Sequence, residues 1–290
     1  MRSILLSFCN LPVPRRTGLL RLELDSESTS EVMLGIENTV ESCTGLTAVH
    51  EKIYLLFVSR GMHYLGALRR ADLRPLHHQP LPEIKEGHSI LAKDGYLYVV
   101  STGTDEVFRY ELGPAGVSNP SVIWRASNVG TDTHHVNSII EWQGSLAISA
   151  FGPKFGTLWA SAMDGYIHDI TGDRRIKGGI YHPHSLSVWG HRLCYFESYR
   201  KLFWCLEGPL ASLDGYSRGV CWLSNELVCL ADSIGRRFSK STGLIANPAD
   251  PGERAGNCGV TLRDMAHART IKRVKLRGFG PEIYDLLITD

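Results

Sequence analysis

A three-part unit recurs along this chain, and the chain's two ends supply the separated halves of one further copy. The clearest copies start at Gly45-Leu46-Thr47-Ala48-Val49, His88-Ser89-Ile90-Leu91, Asn137-Ser138-Ile139-Ile140, His184-Ser185-Leu186-Ser187 and Arg218-Gly219-Val220-Cys221. A short turn follows each start, and then a second apolar run at 53–59, 97–101, 146–150, 193–198 or 227–233. These runs are short and rich in β-branched or aromatic residues, the pattern of buried strands. The turns include Asp94-Gly95 and Gln143-Gly144, and Asp-Gly suits two-residue hairpins because both positions need positive φ. Third runs are expected at 64–68, 107–112, 158–162 and 202–206, with room for a fourth strand beyond. A fixed period of this length is the mark of a stacked or radial architecture.

The termini decide between the two. Residues 281–288 read as a first strand with nothing after it, and residues 3–7 as a second strand with nothing before it. Residues 18–24 then match a third strand. The starts lie 43, 49, 47, 34 and 64 residues apart, and the longest interval contains a Gly/Pro/Asn-rich stretch at 239–258 that reads as an inserted loop. The expectation is one all-β domain over residues 1–290, a six-bladed β-propeller whose C-terminal strand pairs with the N-terminal strands. Radial closure protects edge strands that would otherwise pair with other chains.

Composition removes several function classes. A net charge of +1 gives no electrostatic case for nucleic acid or an anionic membrane. No run reaches the ~18 apolar residues of a membrane span. The first nine residues briefly imitate a signal peptide, but the apolar run is short and no small-residue cleavage site follows. The seven Cys contain no Cys-x-x-Cys pair, and several fall inside expected strands. That reads as buried free thiols in a reducing compartment, so a cytoplasmic location is expected.

Aligning the six starts places Gly45, His88, Asn137, His184, Arg218 and Glu282 at equivalent positions around a central channel. Two residues earlier stand Glu86, His135, His182 and Tyr216, on the same side of an extended chain by the two-residue period. His88, Asn137, His184 and Glu282 form a candidate metal set. Imidazole favours Fe, Zn, Mn, Ni or Cu over Ca. The competing reading is a hydrogen-bonded polar ring holding ordered water. Arg218 is either the salt-bridge partner of Glu282 or a clamp for an anionic ligand. His135 and His182 are candidate acid/base groups, or members of a four-His set, with Asp132 placed to orient His135. Glu86 and Tyr216 complete a substrate-binding rim. The six Trp are read as blade packing.

The segments Asp132-Thr133-His134-His135-Val136-Asn137-Ser138-Ile139, His182-Pro183-His184-Ser185-Leu186, Tyr216-Ser217-Arg218-Gly219-Val220 and Pro281-Glu282-Ile283-Tyr284-Asp285 resemble a family of bacterial propeller proteins of unknown function. More distantly, the layout is similar to the six-bladed superfamily of gluconolactonases, calcium-dependent phosphotriesterases and strictosidine synthases. The resemblance implies a channel cation held by Glu and Asn side chains, to which Glu282 and Asn137 correspond. His88 and His184 depart from that pattern and favour a transition metal. The chain is therefore expected to be a divalent-metal-dependent enzyme (lyase, hydrolase, isomerase or oxygenase) acting on a small anionic or carbonyl-bearing molecule in the channel. The alternative is a non-catalytic binding module, with residues 239–258 as a partner-binding loop.

Overall fold

The computed structural model describes residues 2–234 and 258–289, so all but Cys258 of the expected inserted loop lies outside the described residues. Six four-stranded antiparallel sheets form a ring. In chain order, β1 (Ser3–Cys9), β2 (Leu19–Glu23) and β3 (Thr29–Glu31) belong to the sheet completed by the last strand, β24 (Glu282–Ile288). The second blade is β4 (Ser42–Val49), β5 (Lys52–Ser59), β6 (Met62–Arg69) and β7 (Pro75–Pro80). The third is β8 (Gly87–Lys93), β9 (Tyr96–Ser101), β10 (Glu106–Gly113) and β11 (Gly116–Arg125). The fourth is β12 (Val136–Trp142), β13 (Ser145–Ala150), β14 (Gly165–Asp169) and β15 (Arg174–Ile180). The fifth is β16 (Pro183–Trp189), β17 (Arg192–Glu197), β18 (Leu202–Cys205) and β19 (Gly208–Ser212). The sixth is β20 (Tyr216–Trp222), β21 (Leu227–Ser233), β22 (Gly259–Asp264) and β23 (Arg269–Lys275). Closure by the termini is as the sequence implies: Ile4 pairs with Ile288, Leu6 with Leu286 and Cys9 with Glu282.

The apolar second runs are buried because each sits inside its sheet with a neighbouring blade on either face. Every residue of β1 is buried, and Ile4, Leu5, Leu6 and Phe8 have no exposed surface. Burying a side chain of this size stabilises by about 1.5–3 kcal/mol. The outermost strands are polar, as in Arg269–Lys275, which keeps the sheet edges from pairing with other chains. Among the described residues no helix is long and apolar enough to cross a membrane. One third strand differs from expectation. Residues 159–161 form a 3₁₀ turn, and the strand begins later, at Gly165. The Ser161 hydroxyl donates to the Leu158 carbonyl and accepts from Gly156 N–H, which folds this segment over the channel mouth instead of into the sheet.

The six first strands run side by side around the axis in the order β4, β8, β12, β16, β20, β24. Every one of them loses register with its second strand near the same level, at Cys43/Leu46, Gly87/Ile90, Val136/Ser138, His184/Ser187, Ser217/Val220 and opposite Ser7/Phe8. Such bulges re-aim side chains and disrupt the alternation of faces. The inner strands also touch closely: a Cβ on Gly45 would lie 2.7 Å from the Ile90 nitrogen, so only glycine fits there.

Two sets of side chains tie the blades together. At the end of the second strands, Ser7, Thr102, Ser198 and Ser233 donate to the carbonyls of Thr44, Val136, Ser217 and Ile283 on the next first strand. At the bulge level, Ser89, Ser138, Ser185 and Asp285 accept from the N–H groups of Ile139, Leu186, Gly219 and Leu46. One further tie runs from Ala92 N–H to Thr47.

Candidate functional site

Tyr284 divides the channel. It stands on β24, diametrically opposite β12, and its hydroxyl donates across the axis to the Asn137 carbonyl at 3.0 Å. Below it lies a cavity of about 290 Å³ lined by Thr47, Ser89, Ser138, Ser185 and the adjoining apolar residues. Above it converge the polar residues that begin the first strands.

On one side, Arg218 Nη1 contacts Glu282 Oε2 at 3.0 Å, with both side chains buried. Cys9 and Asn10, from the end of β1, complete the cluster. Asn10 Nδ2 donates to the same carboxylate oxygen at 2.9 Å, and the Cys9 sulfur lies 3.4 Å from both Arg218 Nη1 and Glu282 Oε2. The guanidinium carbon lies 5.1 Å from the centre of the Tyr216 ring and 5.8 Å from that of Tyr284. Burial works against the Arg218 charge, but Cys9 and Glu282 more than offset it and hold its pKa above the ordinary value. Of the two roles left open for Arg218, the ion pair with Glu282 is present.

On the other side, aromatic and imidazole rings form a continuous wall. His88 lies edge-on to His135 at 5.1 Å and to Tyr284 at 5.4 Å. His135 packs on Phe151 and Trp159, Phe151 stacks on His182 at 4.2 Å, and His184 meets both Phe151 and Tyr216. Trp159 reaches the wall through the 3₁₀ turn, and Lys154 lies over its outer face. His135 Nδ1 is 3.0 Å from Asp132 Oδ2. The Asp132 carboxyl is largely buried, and burial pushes it up to about 7 against the lowering effect of Lys154. Asp105 accepts from Thr133 and His134 N–H and so fixes the turn that carries the pair.

Hydrogen-bond partners settle the imidazole tautomers. His182 Nε2 faces the Trp159 carbonyl at 2.8 Å and must donate to it, so Nδ1 accepts from the Tyr216 hydroxyl at 3.0 Å. Both nitrogens of His182 are engaged, and burial lowers its pKa to about 3. The sequence cast His182 as an acid/base group, whereas here it holds Tyr216. For His184, the Ser198 hydroxyl donates its proton to the Ser217 carbonyl at 2.6 Å, so it must accept from His184 Nδ1 at 2.9 Å. That leaves the His184 Nε2 lone pair without a partner among the described residues, on a side chain only 1% exposed. Burial, then Arg218, holds His184 well below its ordinary pKa. Arg218 Nε is likewise without a partner.

The expected metal set does not fit as it stands. Asn137 Nδ2 donates to the His135 and Pro183 carbonyls, and Oδ1 accepts from Ser149. Glu282 is engaged by Arg218 and Asn10. Among the described residues no group of three or more His, Cys, Asp or Glu is arranged to hold a metal ion. His88 Nδ1 donates to the Glu86 carbonyl at 2.7 Å, so Glu86 joins the cluster through its backbone at an exposed rim. The simple two-residue alignment fails because Glu86, His135 and His182 all have left-handed backbone, with φ of 48°, 54° and 52°. Such strained non-glycine positions gather at functional sites. Sequence reasoning also missed Cys9, Asn10, Phe151, Trp159, Ser198 and Tyr284. Only Tyr284 stood inside a motif singled out beforehand.

No family model and no curated protein sequence matches the chain. Solved structures match its fold at low identity. A protein of unknown function from Bacteroides caccae gives a TM-score of 0.64 at 11% identity, covering 99% of this chain and 98% of that one. A chain of a nidogen/laminin complex gives 0.63 at 12% identity, covering 100% and 98%. A candidate 6-phosphogluconolactonase from Bacteroides fragilis gives 0.60 at 10% identity, covering 100% and 98%. These matches establish the six-bladed propeller. They do not carry function, since one fold hosts both binding modules and enzymes.

Proposed function

We propose that the chain is an enzyme acting on a small anionic or carbonyl-bearing molecule bound above Tyr284. The observation that carries this reading is the pairing of unused polar atoms with a half-buried Asp132–His135 dyad. His184 Nε2 and Arg218 Nε are buried and unpartnered among the described residues, and both side chains pack on the Tyr216 ring. A buried polar atom without a partner costs about 1–3 kcal/mol, which a bound ligand recovers. Beside them, Asp132 holds His135 in one orientation, the arrangement that serves a general base. Arg218 polarises the substrate oxygen, His184 accepts from a substrate donor, and His135 moves the proton. Hydrolase, lyase and isomerase chemistry all use these parts. The relatedness in fold to a candidate lactonase and to a luciferin-regenerating enzyme is compatible with this reading.

The divalent transition metal expected from sequence enters no step, because two of the four residues named for it, Asn137 and Glu282, are engaged elsewhere. Elemental analysis of the purified protein tests that point: stoichiometric Fe, Zn, Mn, Ni or Cu lost on His88→Ala would restore the metal reading. The enzyme reading itself is tested by a turnover screen against carbonyl-bearing small molecules with His135→Ala alongside. The variant is expected to lose about 10²–10⁴-fold in rate. Equal turnover in wild type and variant would contradict the assignment of His135.

A further inference from the structure

The two unpartnered atoms differ in kind, and that difference narrows the substrate. His184 Nε2 is an acceptor, because the ring proton sits on Nδ1, which donates to the Ser198 hydroxyl. Arg218 Nε is a donor by its chemistry. A hydroxyl next to a carbonyl oxygen supplies the donor for the first and the acceptor for the second. Charge decides the rest. The Arg218 cation is already balanced by Glu282 at 3.0 Å, and Asn10 steadies that carboxylate. A carboxylate or phosphate brought here would add a second anion beside Glu282 in a site walled by Phe151, Trp159, Tyr216 and Tyr284. Desolvating an unbalanced charge is expensive, whereas a neutral carbonyl with an adjacent donor incurs no such cost.

We infer that the site above Tyr284 selects uncharged molecules bearing a hydroxyl group adjacent to a carbonyl, such as hydroxy amides and hydroxy ketones, over the corresponding acids. Arg218 Nε meets the carbonyl oxygen, and His184 Nε2 meets the neighbouring hydroxyl. Ser198 is the positioning residue, since without its hydroxyl the imidazole is free to take the other tautomer. The inference rests on the small-molecule site proposed above and names its substrate class.

Three two-carbon probes separate the contributions: glycolamide has the carbonyl and the hydroxyl, acetamide lacks the hydroxyl, and glycolate is the charged acid. Binding to the full chain is followed by NMR shift titration, which needs no turnover. Glycolamide is expected to bind about fivefold or more tighter than acetamide, the worth of one net hydrogen bond, and tighter than glycolate. Ser198→Ala, which leaves the His184 ring in place, is expected to erase most of the glycolamide-over-acetamide preference. Glycolate binding as tightly as glycolamide overturns the inference, as does equal binding of glycolamide and acetamide, or no glycolamide binding at all. Loss of the probe preference with His135-dependent turnover intact would defeat this inference alone. Probe selectivity without any turnover would defeat the enzyme reading alone.

Discussion

The halves of the channel above and below Tyr284 are built from the same six strands, yet they differ in almost every physical respect. Below the bar, hydroxyls and Asp285 accept N–H groups from the next strand, and the side chains close the ring on itself. Three first strands end there in Trp142, Trp189 and Trp222. Trp142 donates to the His191 carbonyl and Trp189 to the Asn225 carbonyl on the following blade, while Trp222 stacks on Trp189. Above the bar the same strands begin with left-handed backbone, a buried ion pair, neutral imidazoles and polar atoms left over. One end is internally satisfied, and the other holds capacity in reserve. In a repeat architecture each blade supplies both ends at once: ties between blades occur at both levels, and the leftover polar atoms lie above the bar.

The comparison can be broken from either side. The largest effect is expected from Arg218→Ala, which takes the guanidinium away from the buried Glu282 carboxylate. Removing one partner of such a pair costs about 3–5 kcal/mol, read as a lower urea midpoint. Restoring neutrality with Arg218→Met and Glu282→Gln together should recover much of that loss. A cost below about 1 kcal/mol, the worth of an exposed pair, would mean that the pair is solvated. Below the bar, Trp189→Ala should cost about 2 kcal/mol, since the ring is only half-buried. It should leave glycolamide affinity unchanged. Altered affinity would show that the two ends are coupled. Tyr284→Phe keeps the ring but abandons the Asn137 carbonyl, at about 1–2 kcal/mol.

Acid and base should act with opposite signs on the two buried imidazoles above the bar and on Asp285 below it. His182 and His184 are held below their ordinary value of 6.5, His182 at about 3, so the unfolded chain takes up protons before the folded one. Their stabilisation is whole above 6.5 and drains as pH falls through that window. Burial raises Asp285 from 3.8 to about 7, so the folded form keeps its proton longer. Its contribution is full below 3.8 and fades as pH rises to 7. Asp285→Asn should therefore remove its share of the decline toward neutral pH, leaving the share of Asp132, which burial also raises to about 7, and leave the acid limb intact, in urea midpoints taken across that range. An unchanged profile would place Asp285 in contact with solvent.

How much of this was legible in the sequence follows the same division. The second strands and the ring closure were readable because continuous apolar runs such as residues 3–7 and 97–101 have no other stable use. The five polar starts were readable because a core strand has no reason to begin with His88, His184 or Arg218. The site's interior was not. Bulges carry no fixed residue signature, so the two-residue alignment broke at the level that mattered. His135 and His182 adopt a backbone usually advertised by Gly or Asn. Trp159 resembled a strand residue and proved to cap the mouth, because Ser161 folds its segment into a turn. Cys9 and Asn10 sit at the end of an apolar strand and gain their role only through register with Glu282.

The neutral, buried and unpartnered Nε2 of His184 is the feature on which the rest turns, and ¹⁵N NMR of the imidazole ring, assigned with His184→Gln, reads it directly. At neutral pH the account predicts a bare, pyridine-type Nε2 and a protonated Nδ1. A proton on Nε2, whether as the other tautomer or as imidazolium, would contradict it.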